Sequence, residues 1–155
     1  MPPQFLTVNS GDLMPLSSIK RVRIVDDEDR KSLAKLGPRV KAERFNSQID
    51  GIRGKSYATE SLDELARQGV AFVQIDERAF VPAANIIKAR NLTSKDRKEF
   101  KERTGRDMRK EFKAQVETVA GNVLASVPAE TVMERMEKPY RPTPPAEAAS
   151  VDAAP

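Results

Sequence analysis

The feature that most constrains this chain is a stretch that occurs twice. FVQIDERAFVPAANIIKAR at 72–90 lies over FLTVNSGDLMPLSSIKRVR at 5–23 with a constant offset of 67 and no gap. Phe5 falls on Phe72, Val8 on Ile75, Leu13 on Phe80, Pro15 on Pro82, Ile19 on Ile86 and Arg23 on Arg90. The register continues, with Asp29-Arg30-Lys31 on Asp96-Arg97-Lys98 and Leu33 on Phe100, giving candidate units 5–37 and 72–104. Two accounts fit: a duplicated unit, or two strand-turn-strand-helix units sharing the alternation that any half-buried sheet imposes. Both predict an α+β fold, an antiparallel sheet with short helices.

Local signals fill in the rest. Phe5 to Val8 and Leu13 to Leu16 read as a hairpin turning at Ser10-Gly11, with Gly11 supplying the positive φ of a tight turn. A third strand carries Ile19, Val22 and Ile24, interrupted by the cations Lys20, Arg21 and Arg23. Asp26 caps a helix that bears Leu33 and Leu36 on one face and stops at Gly37-Pro38. Residues 40–49 and 52–58 read as strands about an Asp50-Gly51 turn, and Ser61 with Glu64 forms a capping box for a helix ending near Gly69. Strands follow at 70–76, 78–81 and 86–89, Pro82 being confined to an edge or a strand end because it has no N–H for the ladder.

Past Arg90 the pattern turns helical. Ser94 is expected to cap a helix through Arg103, and Thr104 a second one reaching about Ala125. In that second helix Met108, Phe112, Val116, Val119 and Val123 recur at spacings of four, four, three and four, a single apolar stripe. The stripe would pack on the protein's own sheet or form a homodimer seam. A last helix is expected over 130–137, and the Pro- and Ala-rich 138–155, with two overlapping PxxP matches, is expected to be disordered. The expected organisation is thus a sheet domain at 1–90, a basic amphipathic helical segment packed on it at 91–127, and a short helix with a tail at 128–155.

Composition removes much chemistry. The 155 residues contain no cysteine and no histidine, which excludes disulfides, thiolate and imidazole metal sites, cysteine nucleophiles and histidine bases. Gly51-Ile52-Arg53-Gly54-Lys55-Ser56 ends like a phosphate-binding loop, but Ile49 stands where the first glycine belongs and a strand is expected to follow. The acids Asp26 to Asp29 could attract Mg²⁺, yet a helix start already favours them electrostatically. No cofactor is expected, no arrangement of side chains reads as catalytic, and no apolar run is long enough to span a bilayer. A cytoplasmic, non-enzymatic protein is the expectation.

The charge is concentrated. Net charge is only +4, but residues 88–113 hold 11 basic and 5 acidic side chains. Arg97, Lys98, Lys101, Arg106, Arg109, Lys110 and Lys113 are the candidate phosphate contacts, an electrostatic footprint for nucleic acid and DNA before RNA. Pairing with the interleaved Asp96, Glu99, Glu102, Asp107 and Glu111 is the competing account.

The segment from Tyr57 to Ile86 resembles the LytTR family of DNA-binding domains. Ser61-Leu62-Asp63-Glu64-Leu65 fits that family's helix, and Phe72, Val73, Ile75 and Val81 fit the strand after it. Asp76, Glu77, Arg78 and Pro82 depart from its polar motif, so the resemblance implies a sheet-based regulator and transfers no DNA-contacting residue. The expected function is a DNA-binding or DNA-associated regulatory protein. The alternative is a protein-interaction adaptor or anti-activator that uses a strand edge or the apolar stripe.

Overall fold

The computed structural model describes residues 3–142. Seven elements follow one another: β1 (Phe5–Val8), β2 (Asp12–Pro15), β3 (Ile19–Ile24), α1 (Asp27–Ala34), β4 (Ser47–Gly51), β5 (Gly54–Ala58) and α2 (Leu62–Ala66). Seven more repeat the order: β6 (Phe72–Asp76), β7 (Ala79–Pro82), β8 (Ile86–Asn91), α3 (Ser94–Thr104), β9 (Ala114–Thr118), β10 (Gly121–Ala125) and α4 (Ala129–Glu137). Every element of the second set starts 67 residues after its counterpart, so this α+β fold is two structural repeats running well past 5–37 and 72–104. One irregularity recurs as well. The β3–β4 ladder slips between Ile19 and Arg21, and the β8–β9 ladder slips between Ile86 and Lys88.

Local chemistry explains the boundaries. Asp26 accepts from the Asp29 N–H while Asp29 accepts from the Asp26 N–H, and Thr93 and Asp96 do the same for α3. The first hairpin turns through Asn9 and Ser10, at φ 51° and 61°, rather than through Gly11. Two consecutive positive φ angles match the right-handed twist of the strands, and asparagine tolerates them well. The β4–β5 turn likewise falls at Ile52-Arg53, two residues beyond Asp50-Gly51, with Gly51 and Gly54 paired across its base.

Each repeat has its own apolar centre. Leu6, Val8, Ile49, Ala58, Leu62 and Leu65 are buried together in the first, and their counterparts Val73, Ile75, Val116, Ala125, Ala129 and Val132 in the second. This overturns the helix expected from Thr104 to Ala125, and with it a helical segment spanning 91–127. Val116 and Val123 are partners across the β9–β10 hairpin, so they share a face because the chain folds back between them. A seven-residue spacing suits a helix and a hairpin equally; the β-branched Val116, Thr118 and Val123 and the positive φ of Gly121 favour the hairpin.

The repeats are stitched together by one hairpin of the second, β6–β7, which joins the sheet of the first. Strand order is β5-β4-β3-β7-β6 in one sheet, β10-β9-β8 in a second and β1-β2 in a third. Thus β7 pairs with β3 of the first repeat, Val22 opposite Phe80 and Arg23 opposite Ala79. Phe72 and Phe80 are buried in the first repeat's core. Around this joint Arg78 binds Asp26 and Asp29, and the Asn85 amide donates to the Leu16 and Ile19 carbonyls at 2.8 Å. Pro82 closes β7, as its missing N–H requires.

After α4 the chain is held at Tyr140, contrary to disorder from residue 138 onward. Tyr140 bridges to Phe72, lies edge-on to Phe80 at 5.2 Å and donates its hydroxyl to Asp63, a bond that raises the phenol pKa. The remainder of the expected disordered tail, residues 143–155, lies outside the described residues. Among those described, no helix is long and apolar enough to cross a membrane.

Candidate nucleic-acid interface

The basic residues sit on α3 and the loop after it. Thr93 starts α3 and Gly105, left-handed at φ 74°, ends it, its N–H donating to the Lys101 carbonyl. None of the helix's residues is buried. Phe100 is half-buried and Arg103 lies over its ring at 5.8 Å from the centroid. Arg90 binds Asp96 at 2.7 Å, and that bond, with the Thr93 N–H, holds the Asp96 carboxyl far below the usual carboxylate range. Between α3 and the outer side of the second sheet runs a groove of about 400 Å³ lined by Leu92, Phe100, Met108 and Leu124 among others.

The seven candidate phosphate contacts divide. Arg97 is half-buried and its guanidinium donates to the main-chain carbonyls of Arg109 and Phe112, so it fastens the loop to the helix. Lys101 faces Asp107 at 3.3 Å, and Arg109 faces Glu111 at 3.9 Å; all four side chains are exposed. Pairs of that kind are worth roughly 0–1 kcal/mol and yield to a competing phosphate. Lys98, Arg106, Lys110 and Lys113 are exposed and, among the described residues, have no carboxylate within 4.0 Å. Lys95 and Arg103, part of the same basic stretch but not among the seven candidates, lie exposed on the same helix.

The apolar stripe is dismantled. Val116 and Val123 belong to the core, Met108 and Phe112 are half-buried in the loop, and Val119 is exposed at the β9–β10 turn. Those five side chains therefore make no seam for a partner helix.

The phosphate-loop candidate lies across the β4–β5 hairpin, where no helix N-terminus follows. Asp26 and Asp29 are engaged in capping and with Arg78, and hydrogen bonding, chiefly from the Asp29 N–H, lowers the Asp26 pKa. Glu60 is pulled toward a higher pKa by burial, but bonds from the Asn9 and Ser10 N–H groups outweigh this and lower it. No protein-family model, curated protein or solved structure matches the chain.

Proposed function

We propose that the protein is a non-enzymatic, DNA-associated regulatory protein that holds the phosphate backbone with α3 and the loop through Lys113. The observation that carries this reading is the divergence of one connection between otherwise matching repeats. From 26 to 46 the first repeat has 6 basic and 5 acidic side chains; from 93 to 113 the second has 9 and 5. Ala34, Ala42, Glu43 and Asn46 stand where the second repeat has Lys101, Arg109, Lys110 and Lys113. Cations gained at four aligned positions, one on a helix that buries nothing and three exposed in the loop after it, favour a polyanion over a merely solvated face.

If Lys98, Arg106, Lys110 and Lys113 each neutralise a phosphate, log affinity for duplex DNA falls with log salt at a slope of about −4. Changing those four to glutamine should remove their contribution of about 4 from the slope, whereas Lys31→Gln with Arg39→Gln in the first repeat should leave it intact. Fluorescence anisotropy on labelled duplex across salt concentrations reads both; an unchanged slope in the fourfold variant sinks the proposal. The adaptor reading loses the stripe and keeps only its strand edges.

A further inference from the structure

The joint between the repeats has two halves, and the chain closes only one. In the closed half β7 lies on β3 and buries Phe72 and Phe80, exposed by 0% and 2%, against Ile19 and Val22, both 0%. The counterparts of β7 and β3 are β2 and β8. Among the described residues each has a neighbouring strand on one side only, β1 and β9 respectively. Phe5 and Leu13, which correspond to Phe72 and Phe80, are exposed by 51% and 68%, and Ile86 and Ala89 are only half-buried. Ile87 beside them is 57% exposed. Two bare strand edges with apolar side chains are sites for strand addition.

We infer that a second copy of this chain fills them, β2 of each chain adding antiparallel to β8 of the other. The closed half supplies the register: Leu13 would face Ala89 as Phe80 faces Val22, and Asp12 would face Arg90 as Ala79 faces Arg23. Opposite charges then meet where the internal joint sets an alanine against Arg23. Strand count agrees as well. The three-stranded β10-β9-β8 sheet plus a partner's two-stranded β1-β2 reproduces the five-stranded order β5-β4-β3-β7-β6. A two-fold dimer makes this contact twice and leaves neither β2 nor β8 bare.

The absence of cysteine allows a direct test. Leu13→Cys and Ala89→Cys are made as separate chains, and oxidation of their mixture is expected to give a covalent dimer that neither chain gives alone. Light scattering should show a dimer for the parent chain. Phe5→Ser with Leu13→Asp should weaken it by about 10–100-fold, from the apolar area withdrawn, with the circular dichroism spectrum unchanged. A monomeric parent with no crosslink in the mixture overturns the inference. So does a disulfide formed within one chain carrying both cysteines, because β2 and β8 would then close on each other.

Discussion

The two repeats keep the same order of strands and helices, the same slip beside the third strand and the same capping box on the first helix, yet differ in the connection between their third and fourth strands. In the first repeat that connection is held by apolar contact: α1 buries Leu33, and Ala42 is buried in a short 3-10 turn after it. In the second, the aligned positions are a half-buried Phe100 and an exposed Arg109, and α3 buries nothing. What survives in both is one arginine. Arg30 donates to the Phe45 carbonyl as Arg97 donates to that of Phe112. The lesson is that the sheets carry the fold, while a helix and loop pinned to main-chain oxygen can exchange their outer surface freely.

The sharpest way to break the comparison is at the joint. Phe72→Ala removes a side chain buried between the repeats and should cost about 3–5 kcal/mol. Phe5→Ala, the aligned change at an exposed site, should cost under about 0.5 kcal/mol in the dilute chain. Urea unfolding of both variants measures this, and equal losses would mean the two hairpins are not in different environments. Next in size is the shared arginine. Arg97→Ala and Arg30→Ala should each cost about 1.5–3 kcal/mol for the charged hydrogen bonds removed. Only Arg97→Ala should release its loop, since Leu33 and Ala42 still hold the other. Faster amide exchange over 105–113 but not over 38–46 is the expected pattern; release of both loops would contradict it.

The smallest effect is in acid. Asp26 and Asp96 both have folded pKa values below their unfolded ones, so the stabilisation they give is complete above the unfolded pKa and is lost as pH falls through the folded one. Asp96, lowered chiefly by Arg90, should keep its charge further into acid than an ordinary carboxylate. In Arg90→Gln its carboxyl carbon, followed by NMR, should titrate at higher pH. No change would remove Arg90 as the cause.

Much of this fold was legible in the chain, and the reasons are local. Asp26 with Asp29 and Ser61 with Glu64 announce their helices because a cap needs only a side chain and the N–H three residues on. The offset of 67 was visible through Phe100, because the strands' apolar residues align and Asp29-Arg30-Lys31 recurs as Asp96-Arg97-Lys98. It went unseen at β9 and β10 because few residues there are shared, and the exposed Ser56 has the buried Val123 as its counterpart. The basic surface was legible as composition. The diversion of Arg97 was not, since nothing in a residue's identity says that its guanidinium will meet two carbonyls far along the chain. Nor could the β3–β7 joint be read, because any edge strand with alternating apolar residues offers an equally good partner.

The crossing of β7 onto β3 also has a consequence in time. About 60 residues separate the end of β3 from the end of β7, so at roughly 5–20 residues per second a ribosome takes about 3–12 s to deliver the missing neighbour. Throughout that interval Ile19 and Val22 await the aromatic rings that will cover them. A nascent first half is therefore sticky by construction, and its safety depends on how promptly translation proceeds.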